Sequence, residues 1–119
     1  MRRLKLTGVL FLALIVLACA TFDRNAYRTL AASKTTYETA MGTLGDLYIK
    51  GKITEAQKTD IIKVAGYYYM AYLSAQRAYD VYHNNKSVAN QEQLQKLLND
   101  IAVKLGEVTA LLAKYQGGA

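Results

Sequence analysis

The chain has no proline, no tryptophan, one cysteine and one histidine. Each shortage removes a class of structure or chemistry. Without proline, no helix is broken by a missing amide donor or a ring clash, so long uninterrupted helices are expected. One cysteine cannot build a disulfide framework within the chain. One histidine beside it cannot complete a His/Cys metal set, so no metal site and no cofactor are expected. Phosphate loops are missing too: Gly42-Thr43-Leu44-Gly45 has no Lys-Ser/Thr after it, and Gly51-Lys52 is followed by Ile53. There is no G-x-S-x-G elbow, and Ser33, Ser74 and Ser87 have no histidine placed to act as base. His83 falls at an expected helix end and reads as a turn residue. Catalysis is therefore not expected.

What is present is enough for one domain. The 119 residues are 52% hydrophobic and 20% charged, a composition that folds and still covers its surface. The formal charge of +6 is concentrated at the start, where Arg2, Arg3 and Lys5 carry half of it. The remaining basic residues are spread over several faces with no stacking groove between them, which argues against a nucleic-acid partner.

After those three cations, residues 6–17 are apolar except for Thr7 and Gly8, and VLFLALIVL is unbroken. A basic start followed by an apolar run of this length has the pattern of a secretory signal. A membrane-spanning helix needs about 20 apolar residues, more than this run supplies unless it is counted generously from Leu4 to Phe22. The run ends in Val16-Leu17-Ala18-Cys19. This tetrapeptide resembles the lipobox of bacterial lipoproteins, a likeness confined to about the first nineteen residues. It implies cleavage before Cys19 by signal peptidase II, then a diacylglycerol thioether and an N-acyl chain, such as palmitate, on that cysteine. Several acyl chains hold a protein on a bilayer where one does not. The expected organisation is a signal peptide over residues 1–18, the lipidated cysteine with a short tether over 19–22, and a folded domain over 23–119. Ala20 follows the cysteine where the enterobacterial retention signal has aspartate. The expected home is thus the periplasmic face of the outer membrane in a Gram-negative host, or the cell surface in a Gram-positive one.

The rest reads as all-α, an antiparallel up-down-up three-helix bundle. A first helix over 23–49 repeats apolar residues near every seventh position, through Ala26, Leu30, Tyr37, Met41, Leu44 and Tyr48. Asp23 is its expected N-cap and Gly51 its stop. Gly42 and Gly45 weaken it by about 1 kcal/mol each relative to alanine, unless they admit a neighbouring helix at close range. A second helix over 54–83 opens on Thr54 with Gln57 three residues on, a capping-box pattern. Its stripe is Ile61, Val64, Ala65, Tyr68, Tyr72, Ala75, Tyr79 and Tyr82. A third, over 88–116, is capped by Ser87 and carries Leu94, Leu97, Leu98, Ile101, Leu105, Val108, Leu112 and Tyr115. Three helices of roughly 40–45 Å joined by four-residue turns must fold back on one another. The second turn would then lie at the membrane end, bringing Arg24, Arg28 and Lys86 to lipid headgroups, where each cation near an anionic surface contributes on the order of 1 kcal/mol.

The most unusual feature is tyrosine, ten in all and six of them within YYYMAYLSAQRAYDVY. Three in succession spread over about 200° of a helix and cannot all face one core. Tyr69 falls with Ile62 and Leu73 on a flank away from the stripe. That flank is the candidate surface for an envelope partner protein or for a second copy, because tyrosine is enriched at interfaces. Stacking on glycan rings is a further use of such a ladder. The expected function is thus a small lipoprotein acting as a non-catalytic binding or structural module of the bacterial envelope. A phage- or prophage-encoded surface lipoprotein fits that size and anchor. The competing reading is an uncleaved single-span protein whose rod-like helices self-associate.

Overall fold

A computed structural model describes the backbone of residues 2–117 and the side chains of residues 21–117. The lipobox and the modification expected at Cys19 lie outside the described side chains. The fold is the expected one: three helices, α1 (Arg2–Ile49), α2 (Glu55–Asn84) and α3 (Val88–Gly117), each touching the other two. α2 packs most closely on α3 and least closely on α1.

The core follows an alternating three- and four-residue spacing in every helix. In α1 it takes Ala26, Leu30, Ser33, Tyr37, Ala40 and Leu44; in α2, Ile61, Ala65, Tyr68, Tyr72, Ala75, Tyr79 and Tyr82; in α3, Leu94, Leu98, Ile101, Leu105, Val108 and Leu112. An average of 3.5 residues keeps one seam facing inward over the length of long, gently supercoiling helices. The seams differ in kind. α3 supplies Leu, Ile and Val, each worth about 1.5–3 kcal/mol when fully buried. α1 and α2 alternate small residues with tyrosine rings, and the alanines make room for Tyr68 and Tyr82, which are 1% and 0% exposed.

Rings from α1 and α2 meet in antiparallel order. Phe22 meets Tyr82 edge-on at 5.2 Å, Tyr27 meets Tyr79 at 6.1 Å, and Tyr37 stacks on Tyr68 at 4.4 Å. Tyr68 donates to Ser33 Oγ at 3.1 Å, and Ser33 donates on to the Leu30 carbonyl at 2.9 Å. The phenol is thereby satisfied inside an otherwise apolar seam.

The helix ends are built from local chemistry. At the end of α1, Gly51 takes φ +75°, with Lys52 N–H bonded to the Leu47 carbonyl and Gly51 N–H to that of Tyr48. This is a Schellman stop, for which a residue without a Cβ is favoured. Thr54 and Gln57 form the capping box at 3.2 and 2.9 Å. Tyr48 donates to Glu55 across the same turn, with the Lys58 ammonium 4.4 Å from its ring. Ser87 accepts from the Asn90 N–H at 3.1 Å and starts α3.

Two local expectations are corrected. Asp23 is not an N-cap, because α1 runs through it; its carboxylate reaches across the bundle instead. Gly42 and Gly45 do not admit a neighbour, since a Cβ at either would meet nothing within 4 Å, and α1 continues through both. The hydrogen-bond ladder of a long helix absorbs two glycines when the flanking seam residues are buried.

Candidate functional site

The three consecutive tyrosines take three different directions. Tyr68 is in the core, while Tyr67 and Tyr69 are both about half exposed. Tyr67 turns towards α3, where the Lys104 ammonium lies 5.9 Å from its ring. Tyr69 lies on the α1 side, near enough to Tyr37 to disfavour ionisation of that phenol, which burial already pushes up. Of the expected partner surface, Ile62 and Tyr69 are 57% and 53% exposed and Leu73 is half-buried. Met70, 68% exposed, lies about 100° further round α2, on the face opposite the core and outside this flank. Ile62 also borders an apolar hollow of about 140 Å³ with Met41, Gly45 and Tyr48. The flank is therefore one wall of the α1–α2 groove, not an isolated strip on one helix.

At the opposite end of that groove lies a larger cleft of about 460 Å³, lined among others by Tyr27, Lys34, Glu38, Tyr72, Gln76, Tyr79 and Asp80. The backbones of α1 and α2 approach each other least often of the three pairs, with aromatic rings standing between them, and the cleft opens in that space. Tyr79 links this cleft to the end of the bundle, because its hydroxyl bonds Asp23 and its ring stacks on His83 at 5.6 Å.

Asp23 is the centre of a polar cluster joining α1, the last turns of α2 and the α2–α3 turn. His83 Nδ1, in the last turn of α2, lies 2.9 Å from Asp23 Oδ2, and Lys86 Nζ, in the α2–α3 turn, lies 3.2 Å from the same oxygen. Lys86 also donates to the His83 carbonyl at 3.1 Å. Burial of Asp23 is the largest single influence on its carboxyl and would raise its pKa. The hydrogen bonds from Tyr79, His83 and Lys86 together outweigh it and hold the group below the usual carboxylate range. Burial, then the Asp23 hydrogen bond and charge, push the Tyr79 phenol up to about 12. At neutral pH Tyr79 is thus a donor with an ionised acceptor, an arrangement that fixes the bundle end.

No family model, curated protein or solved structure matches this chain.

The cations expected at lipid headgroups share this end of the bundle. Arg24 and Arg28 are exposed on α1, whereas Lys86 is held by Asp23. Its charge is largely compensated, leaving Arg24 and Arg28 as the more available pair. Among the described residues, no group of three or more His, Cys, Asp and Glu could hold a metal, and no helix is long and apolar enough to cross a membrane. Sequence reasoning missed the Asp23 cluster and the role of Tyr27. The signal was available for the first: in an up-down-up bundle residue 23 and the second turn share one end, so an acid there faces His83 and Lys86.

Proposed function

We propose that this chain is a small lipoprotein of the bacterial envelope, anchored through Cys19, whose three-helix bundle works by binding and not by catalysis. The anchor rests on the basic start, the apolar run and Val16-Leu17-Ala18-Cys19. The binding surface rests on one observation: Ile62 and Tyr69 stand exposed and Leu73 half-buried along one flank of α2, where Ile62 borders the groove with α1. Large side chains left in water on one wall of a groove are what a protein interface uses as anchors. The partner is an envelope protein or a second copy of the chain. In this reading the α2–α3 turn, with Asp23, His83 and Lys86, lies next to the bilayer, and Arg24 and Arg28 meet its headgroups. The α1–α2 turn and the end of α3 then point away. A Gram-negative host would carry the protein on the outer membrane facing the periplasm, a Gram-positive host on the cell surface. A phage-encoded surface lipoprotein is one protein of this kind.

The anchor is tested by the intact mass of protein extracted from membranes, beside Cys19→Ala. Loss of residues 1–18 with added acyl mass, absent in the variant, supports it; an unmodified full-length mass in both refutes it. For the surface, light scattering with and without Tyr69→Lys distinguishes the two partners. A discrete oligomer lost in the variant identifies a second copy, and a monomer unchanged by it leaves an envelope protein as the partner.

A further inference from the structure

The larger α1–α2 cleft is distinct from the Tyr69 flank, since neither Ile62, Tyr69 nor Leu73 lines it. Its volume of about 460 Å³ lies in the range of small-molecule sites. We propose that it binds a neutral saccharide of one or two pyranose rings. This inference rests neither on the lipid anchor nor on the protein-partner surface.

Two kinds of wall point to that class. The first is aromatic. Tyr27 is 61% exposed, and its ring lies 6.1 Å from that of Tyr79 at 49°. Rings this close touch each other, so they make a platform and leave no gap between them for a cation, as an aromatic cage would. Half-buried Tyr72 extends the aromatic lining along α2, backed by Tyr68 at 6.2 Å. The platform is pre-organised, because Asp23 holds the Tyr79 hydroxyl and His83 stacks on its ring. A pyranose carries C–H groups on its ring faces, apolar enough to lie on such a surface, and hydroxyls around its edge.

The second wall is polar and of mixed sign. Lys34, Glu38, Gln76 and Asp80 line the cleft, all four are exposed, and none is hydrogen-bonded or ion-paired to another described residue. A sugar hydroxyl donates and accepts, so an ammonium, two carboxylates and an amide can all be used by one ligand. A phosphate would meet two carboxylates here, and a polycation would meet Lys34. Charges that partly cancel favour the neutral ligand over either.

The test is a titration of isotope-labelled full-length protein, in a detergent without a sugar headgroup, with N,N′-diacetylchitobiose, cellobiose and maltose. Saturable amide shifts confined to residues 27–38 and 72–80 are expected for at least one of them, with Kd on the order of 1 mM. Tyr27→Ala and Asp80→Asn alter exposed side chains, so the rest of the spectrum should be preserved while binding weakens by about tenfold or more. Tyr69→Lys should leave sugar binding unchanged, even where it abolishes a protein contact. The proposal is overturned if none of the three sugars gives a saturable shift, or if binding survives both cleft substitutions. It is equally overturned if inorganic phosphate or spermidine saturates the same residues and the sugars do not.

Discussion

The buried pair Tyr68 and Ser33 gives a sharp test of how this core is held. Ser33 Oγ accepts from Tyr68 and donates to the Leu30 carbonyl, so the two single substitutions are not equivalent. Tyr68→Phe removes one hydroxyl and keeps the ring against Tyr37. Ser33 retains its own bond to Leu30, and the loss is that of one hydrogen bond, about 0.5–1.5 kcal/mol. Ser33→Ala strands the Tyr68 hydroxyl in a site where the residue is 1% exposed. A buried donor without an acceptor costs about 1–3 kcal/mol, and alanine returns about 0.5 kcal/mol through helix propensity. The net expectation is about 0.5–2.5 kcal/mol. Combining the two leaves no stranded group, so the double variant should be no less stable than Ser33→Ala alone, a coupling of about 1 kcal/mol. Urea titrations followed by circular dichroism resolve differences of this size. In a thermal melt each kcal/mol moves the midpoint by about 4–8 °C for a domain of 60–100 residues. Strictly additive losses, or a Ser33→Ala protein as stable as the parent, would refute the reasoning.

Further expectations follow from other parts of the bundle. Gly42→Ala and Gly66→Ala should each stabilise by about 0.5–1 kcal/mol, because both lie inside helices and an added Cβ meets nothing within 4 Å. Gly51→Ala should destabilise by about 1–2 kcal/mol, because alanine at φ +75° pays the left-handed penalty; equal denaturation midpoints for the two classes of variant would contradict this. The Asp23 cluster sets an acid limit. Its carboxyl pKa is depressed in the fold, so its contribution is present above the ordinary carboxylate pKa near 4 and is lost as pH falls through the folded value; Asp23→Asn should flatten that limb of a stability-against-pH curve. For Tyr79 the sign is opposite. Its pKa is raised to about 12, so its contribution is complete below about pH 10 and is lost as pH climbs towards 12, and Tyr79→Phe should delete one late-titrating phenol from the tyrosinate absorbance curve.

Much of the architecture was legible before any coordinates. The 3.5-residue seam of α3 is written in Leu94, Leu98, Ile101, Leu105, Val108 and Leu112, and those side chains form the core. Thr54 with Gln57, Ser87 and Gly51 announced the helix ends through interactions spanning three to five residues. The stripe on α1 was read incompletely. Ser33 and Ala40 are as buried as Leu30, yet small side chains carry little hydrophobic signal, and a serine in a seam reads as a gap. Asp23 reads locally as a cap because an acid before an expected helix start suggests one, and its partner sixty residues away comes into view only when the expected helices are laid side by side.

The sequence by itself determined that there are three helices, the turns that join them and the topology, though not the backbone at Asp23, since periodicity, capping and loop length are local quantities. It also determined that Tyr67, Tyr68 and Tyr69 must diverge, since residue spacing on a helix is fixed. Tertiary structure alone decided which neighbour each tyrosine met. It sent Tyr67 to Lys104 and Tyr68 to Ser33, and it set Tyr27 beside Tyr79 above an open cleft. Those outcomes depend on how closely each pair of helices approaches. That distance is set by the balance of alanine and tyrosine across the whole seam, a property no single segment contains.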